Sequence, residues 1–437
     1  MSLQICPRTA QDGRAELNKL GKVLVVGAGP AGMMAAVKAA ENGASVTLLE
    51  KTERVGKKMA ITGKGRCNMT NAASVQEIIK NIPGNGAFLN SAIRFFDNGD
   101  VVAFFENQGV PTVTERGGRV FPASSKASDA VDALLRRLHE LHVAVRLRAE
   151  VRGLMAEDGR VSGVRLSSGE VIAADAVIVA TGGASYPRTG STGDGFRMAE
   201  AVGHTVETPT PALVPLETEE DWPKALSGLS LKNVRVRLFS DSEPREKIGE
   251  AFGEMMFTHF GVTGPIILTL SRAAAMYLRT QETLDMELDL KPALDAETLE
   301  KRVQRDFETY KNKQVKNAMV DLLPARLIAP VLDLAYIDEG KPVHQITRAE
   351  RLRVVEVLKR LPLTISRTRP IDEAIVTAGG VSVRELNPKT MESKLVRGLY
   401  FAGEVADVDG FTGGYNLQAA FSMGAAAGTW SAKMSEE

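Results

Sequence analysis

Gly27-Ala28-Gly29-Pro30-Ala31-Gly32 reads as G-x-G-x-x-G, set between a short apolar run, Lys22–Val26, and a stretch rich in alanine and methionine. Few hexapeptides restrict a fold as tightly. Between a strand and a helix, Gly27 permits the tight turn, Gly29 lets the backbone approach a pyrophosphate, and Gly32 allows close helix–strand packing. Pro30 stands where the helix begins, a position that tolerates its missing N–H. The helix continues through Met33–Ala40 and ends at Asn42-Gly43. Ser45–Glu50 reads as a second strand, and Glu50 lies 18 residues past Gly32 at its end, followed by Lys51. A carboxylate there accepts from ribose hydroxyls and repels a 2′-phosphate. The pattern predicts a βαβ unit with a dinucleotide pyrophosphate on the free N–H groups and dipole of the helix N-terminus. It does not choose between FAD and NAD.

The rest of the chain divides by pattern. Its 437 residues exceed the roughly 250–300 that one core serves, so more than one domain is expected. Residues 1–21 are polar and patternless and read as a loose leader. Val145–Leu147, Gly163–Leu166 and Ala176–Val179 read as strands, and residues 129–141 as a helix. From 232 to 290 the pattern alternates, as in Val234–Leu238 and Leu284–Leu288, which predicts antiparallel strands with one wet face. From 295 to 361 it turns helical. Leu299, Val303, Phe307 and Tyr310 share one helical face, and Thr347 and Glu350 have capping-box spacing. Residues 398–402 return to a buried strand, followed by a glycine-rich turn and a last helix. The nucleotide domain is therefore expected to be split.

Composition excludes several function classes. Lys+Arg and Asp+Glu are both 54, which argues against nucleic-acid binding driven by bulk charge. Cys6 and Cys67 are the two cysteines, too few for a disulfide framework or a four-cysteine metal site. The five histidines form no metal-ligand spacing. There is no signal-peptide core and no apolar run of the about 20 residues needed to span a bilayer. A cytoplasmic protein with no membrane and no nucleic-acid partner is expected.

Three distant segments select the nucleotide. Val177-Ile178-Val179-Ala180-Thr181-Gly182-Gly183 resembles the ATGG segment of flavoproteins with two dinucleotide-binding domains. Gly190-Ser191-Thr192-Gly193-Asp194-Gly195 resembles the TGDG element of the fumarate reductase and succinate dehydrogenase flavoprotein group. Gly398-Leu399-Tyr400-Phe401-Ala402-Gly403-Glu404 resembles the late flavin motif in which an acid meets the ribityl chain. Gly413-Gly414-Tyr415-Asn416-Leu417-Gln418 then leads into a helix through about Gly428, whose N-terminal N–H groups can face the pyrimidine edge of a flavin. Reduced flavin is negative there, and a helix dipole stabilises it.

The segment Lys57–Asn71 contains Lys57, Lys58, Thr62, Gly63, Lys64, Gly65, Arg66, Cys67 and Asn68. Its glycines permit close backbone approach and its cations suit a pyrophosphate or an anionic flavin. It is similar to the GRCN-containing loop of the BaiN-like family of bacterial flavoproteins, which includes aminoacetone oxidases and bile-acid-pathway reductases. Phe257–Pro265 resembles that family's FTHxGxSGP element, with Thr263 for the usual Ser, and Thr377–Val381 also matches. The resemblance runs from Lys22 onward and is weakest in 295–361. It implies FAD, and a Rossmann-type FAD-binding domain in 1–195 and 370–437. It also implies an inserted β-barrel-like domain in 196–294 and 362–369 and a helical domain in 295–361.

The chemistry expected is hydride transfer at the flavin to or from a small organic molecule. His259 is the candidate proton donor, and a core histidine is its alternative reading. Cys67 has no CxxC partner and reads as a buried inert thiol. Tyr186, Arg188 and Tyr415 sit in glycine-rich loops as candidate substrate contacts. No second fingerprint occurs, so NAD(P)H is expected only as a transient visitor. Two other functions remain open: an oxygen-using amine oxidase, and a flavin-bearing RNA-modifying or regulatory protein.

Overall fold

The computed structural model describes residues 21–433. Cys6 and the leader read over residues 1–21, Gly21 excepted, lie outside them. A five-stranded parallel sheet carries the nucleotide fold, in the order Leu399–Phe401, Ala176–Val179, Lys22–Val26, Ser45–Glu50, Ala144–Leu147. Val25 aligns with Ile178 on one side and Leu48 on the other, and Ile178 aligns with Tyr400. The central strands are apolar because the helices Pro30–Glu41 and Tyr415–Lys433 pack on them and the strand Arg160–Leu166, from a three-stranded antiparallel sheet, packs on Ala176–Val179. The last strand lies beside Ala176–Val179, so the two ends of the chain complete one sheet.

The fingerprint helix runs Pro30–Glu41 and the C-terminal helix Tyr415–Lys433. Their backbones touch. A Cβ on Gly424 would stand 2.3 Å from the Ala31 carbonyl oxygen, and one on Gly428 2.2 Å from that of Ala35. The helix predicted over 129–141 spans Ala127–Glu140, and the strand predicted from Gly163 begins at Arg160.

The insert is a closed six-stranded barrel of Leu216–Thr218, Gly261–Thr263, Lys247–Thr258, Ser230–Phe239, Leu284–Asp289 and Leu361–Thr368. Val234, Val236 and Leu238 are buried and Arg235 and Arg237 partly wet, the alternation read from sequence. The helices Ala296–Thr309, Val315–Ala318, Ala325–Leu334 and Arg348–Lys359 follow. Thr347 and Glu350 form the capping box. Leu299, Val303 and Phe307 join the same apolar core as the barrel residues Leu284 and Leu288. The chain enters the insert through Val206–Ala212 and returns through Val376–Val381. These two strands pair antiparallel, and at this neck Glu217 accepts from Arg367 and Arg369, each at 2.6 Å.

Candidate functional site

The fingerprint turn is built as its glycines require. Gly27 has φ +100°, and a Cβ there would stand 2.5 Å from the Ala180 carbonyl oxygen. A Cβ on Gly32 would stand 1.9 Å from the Gly27 oxygen. Gly29 differs: a Cβ there would meet nothing within 4 Å. No side chain caps the helix that follows, so its first N–H groups face open space beside Gly29, Pro30 and Ala31. Glu50 fixes the turn, one oxygen accepting from Ala28 N at 2.9 Å and the other from Thr52 N at 2.8 Å. Each oxygen keeps a further lone pair for a ribose hydroxyl.

The Gly190–Gly195 loop folds over the end of that second strand. Lys51 Nζ donates to Thr192 Oγ1 at 2.6 Å and pairs with Asp194. Burial opposes the charge on Asp194, but hydrogen bonds from Lys51 and Thr192 and the charges of Lys51 and Arg197 outweigh it, holding the carboxyl below its usual range.

A second cluster lies where four segments converge. Lys58 Nζ is 2.7 Å from Glu404 Oε2 and 2.7 Å from Ser185 Oγ. Glu404 Oε1 also accepts from Ser185 Oγ at 3.0 Å and Thr377 N at 2.9 Å. Burial raises the Glu404 carboxyl, but the Lys58 charge and these hydrogen bonds bring it below its ordinary value. Close packing demands the neighbouring glycines. A Cβ on Gly183 would stand 2.4 Å from Thr377 Oγ1, one on Gly403 (φ +80°) 2.8 Å from Ala31 Cβ, and one on Gly182 (φ +73°) 2.9 Å from Ser191 Oγ. Thr181 Oγ1 is buried and has no hydrogen-bond partner.

The segment read from sequence as a loop contains a short helix, Lys57–Gly65, kinked at Thr62. The residues before Thr62 tolerate helix. Gly63, Lys64 and Cys67 then adopt left-handed conformations, a costly geometry that clusters at functional sites. Thr62 Oγ1 donates to Lys58 O at 2.9 Å. Asn68, in the amide orientation its neighbours require, accepts from Gly414 N at 3.0 Å and donates to Thr70 O at 3.0 Å. Asn71 Nδ2 donates to Gly413 O at 2.9 Å. The segment is thereby fastened to the start of the C-terminal helix, where Tyr415 and Leu417 are buried and Asn416 braces Gly410. Cys67 is fully buried, and burial pushes its thiol up to about 12. Gly65 is exposed. Lys57 is paired with Glu53 at 3.2 Å, and Arg66 pairs with Glu115 while its guanidinium lies 4.1 Å over Phe121. The charges of Lys57 and Arg66 are thus compensated locally.

His259 lies in the barrel insert. It is exposed, in the turn between Lys247–Thr258 and Gly261–Thr263, and meets Phe260 edge-on at 4.8 Å. Arg369 lies 4.8 Å over the other ring of that pair and donates to Glu373. The core-histidine alternative does not hold, because no barrel side chain covers the ring from solvent. Tyr186, with φ +51°, follows Ser185 directly, and Arg188 beyond it is exposed.

These residues fit FAD. The open space at Gly29 could receive a pyrophosphate, Glu50 could hold a ribose, the unpartnered Thr181 hydroxyl and the Lys58–Glu404 cluster the linking chain, and the Gly413–Leu417 helix start the flavin ring. Ser185 and Thr377 were not singled out from sequence. Ser185 sits just past the ATGG motif, which was a usable signal. Thr377 reaches the site across 192 positions and had none as a site residue.

Comparison with known proteins agrees with this geometry. A family profile described as HI0933-like protein Rossmann domain matches residues 21–430. A 3-dehydro-bile acid delta(4,6)-reductase of Clostridium scindens is 31% identical, over 94% of this chain and 98% of its own. A ribosomal RNA dihydrouridine synthase of Haemophilus influenzae is 30% identical, over 93% of this chain and 97% of its own. Among solved structures, a flavocytochrome c3 fumarate reductase shares the fold with a TM-score of 0.52 at 19% identity, over 97% of this chain and 80% of its own.

Proposed function

Because the chain belongs to the HI0933-like Rossmann-domain family, it is an FAD-dependent oxidoreductase, and we propose that it reduces a carbon–carbon double bond conjugated to a carbonyl group. The observation that carries this reading is the shared chemistry of the two full-length relatives' names. One names a reductase of the 4,6 double bonds of a 3-dehydro bile acid, and the other the formation of dihydrouridine, a uracil with its ring double bond saturated. Saturating such a conjugated double bond puts a hydride on its electron-poor carbon, the one farther from the carbonyl, and a proton on the other.

Bound FAD supplies the hydride. The chain's own residues do the rest. The helix start at Gly413–Leu417 would offer N–H groups and a positive dipole end to the negative charge that a bound flavin gains on reduction. The Lys58–Glu404 pair, held by Ser185 and Thr377, fixes the flavin side of the site. His259, exposed on the barrel turn, is the donor of the proton. With no second fingerprint in the sequence, NAD(P)H is the transient reductant. The substrate proposed is a small apolar enone.

A second reading is favoured by the Haemophilus relative: the double bond is that of a uracil in ribosomal RNA. One experiment separates the readings. The protein is reduced anaerobically with NADPH or NADH, then mixed with a 3-oxo-4-ene steroid, with unmodified ribosomal RNA, or with oxygen and an amine. Flavin reoxidation by the enone supports the first reading and reoxidation by RNA the second. Reoxidation only by oxygen with amine turnover overturns both and leaves an amine oxidase.

A further inference from the structure

The barrel insert grips the loop that leads into the C-terminal helix. Arg272 Nε lies 2.6 Å from Asp409 Oδ2. Arg272 belongs to the helix Pro265–Tyr277, which packs so closely on the barrel strand Lys247–Thr258 that a Cβ on Gly253 would stand 2.8 Å from Ile266 and one on Gly249 2.9 Å from Leu270. The preceding residue, Ser271, accepts from Val214 N at 3.1 Å, in the connection into the barrel. The helix that carries Arg272 is thus fixed both to the barrel and to its entry.

Asp409 is 1% exposed, and its second oxygen, Oδ1, has no hydrogen-bond partner. Gly84 is pressed against it, since a Cβ there would stand 2.0 Å from Oδ1. The loop is otherwise braced from its own domain. Gly84 N donates to Asp409 O at 3.0 Å, Asn85 Nδ2 to Asp407 Oδ2 at 2.8 Å, and Asn416 bonds Gly410 in both directions at 2.8 Å. The charged groups facing Asp409 are Arg272, Asp407 and Glu404, and Glu207 acts on Asp407. Burial first, then the neighbouring acids, pushes the Asp409 carboxyl up, and Arg272 opposes this.

We propose that Arg272 is a positioning residue: through Asp409 the insert sets the place and the charge of the loop that enters the flavin-facing helix. This rests on the reading that the Gly413–Leu417 helix start faces the flavin. A partly buried ion pair is weak grounds for a stability role. The case here is different, because without Arg272 the Asp409 carboxylate is a buried anion with neither oxygen paired to a cation, beside a second, half-buried acid, Asp407. It must then take up a proton or pull the loop toward water. Either outcome alters charge or geometry six residues before the helix begins.

The test uses the FAD-loaded protein as wild type, Arg272→Gln, Arg272→Lys and the double variant Arg272→Gln/Asp409→Asn. FAD dissociation is measured by fluorescence, and the reduced-to-oxidised flavin ratio against a reference dye from about pH 6 to 9, the range in which buried carboxyls titrate. Amide exchange at 407–414 is followed in the flavin-free proteins. Arg272→Gln should release FAD about tenfold more readily, and its ratio should gain a swing of about tenfold with pH that wild type lacks, one pK unit being tenfold. The double variant should lose the swing, having no carboxyl left to titrate, and Arg272→Lys should restore most of the affinity. Faster exchange at 407–414 with unchanged FAD affinity and ratio would overturn the action on the flavin. Unchanged exchange, affinity and ratio together, with only a lower unfolding temperature, would overturn the strut itself. A wild type that takes up no FAD removes the flavin reading, and the inference falls with it.

Discussion

Lys58 and Glu404 stand 346 positions apart in the chain, yet the lysine Nζ lies within 2.7–2.9 Å of both carboxylate oxygens. The pair joins the Lys57–Gly65 helix to the end of the last strand, so it forms only when the two termini of the nucleotide domain have met. Lys58→Met should leave Glu404 with no cation. Truncating one partner of a buried pair costs roughly 2–5 kcal/mol, and the partial exposure of both side chains places this one near the lower end. Thermal unfolding of the flavin-free protein should show the loss, and Lys58→Met/Glu404→Met should recover most of it. A single variant as stable as wild type would show that the pair holds nothing together.

Two fingerprint glycines should respond oppositely to a methyl group. Gly29→Ala adds a Cβ to open space and leaves the flavin-free fold at wild-type stability, while its Cβ intrudes on the pyrophosphate. Gly32→Ala puts a Cβ 1.9 Å from the Gly27 oxygen, so the helix must move off the strand. Overpacking of that kind costs about 1–3 kcal/mol or more. Unfolding temperature and flavin-to-protein absorbance ratio, measured on both, separate the effects. Gly29→Val should abolish loading altogether. Full FAD content in that variant would remove the turn from the site.

What sequence revealed was whatever is local. The turn at Gly27–Gly32 and the acid at Glu50 lie within one βαβ unit, and their spacing is their chemistry. The alternation at Val234–Leu238 reports one wet face of a barrel strand without reference to any partner. The Ser185 contacts with Glu404 and Thr377 depend on a chain return across the whole insert, which no spacing records. Arg272 lies in the stretch 232–290, read from sequence as antiparallel strands, where the structure has the helix Pro265–Tyr277, and what makes it distinctive is the Asp409 carboxylate brought to it by topology. The helical stretch 295–361 was legible as helices, but its sharing of one core with the barrel was not, since an apolar helix face does not name what covers it.

His204 predicts an acid-sensitive joint. Its buried ring meets Glu385 Oε2 through Nδ1 at 3.0 Å and Ser393 Oγ through Nε2 at 2.8 Å. Ser393 Oγ already accepts from Leu395 N and Val396 N, so its own hydrogen goes to Nε2 and the ring is satisfied when neutral. Burial pushes His204 down, with Glu385 opposing. The unfolded chain therefore binds the proton more readily, so this contribution is complete above about pH 6.5 and is lost progressively as pH falls below it. Glu385, held below its usual 4.5, adds its own loss only in more acid solution. The unfolding temperature should fall between about pH 7 and 5.5. His204→Gln should start lower at pH 7 and fall less. Parallel pH profiles for the two proteins would assign the acid sensitivity elsewhere.

His259→Asn tests the proton donor. The ring is exposed on the turn at the end of Lys247–Thr258 and packs on Phe260, so its removal should leave unfolding temperature and FAD content at wild-type values. A general acid acts only in the step that moves its proton. Flavin reduction by NAD(P)H should keep its rate, while reoxidation by the conjugated substrate should slow by about 10²-fold, the effect expected for a positioned acid. Phe260→Leu, which keeps the imidazole but removes the ring against which it rests, should give a smaller loss. If His259→Asn reoxidises within about threefold of wild type on a substrate the wild type reduces, the proton comes from another group, with Tyr186 beside Ser185 the next to replace.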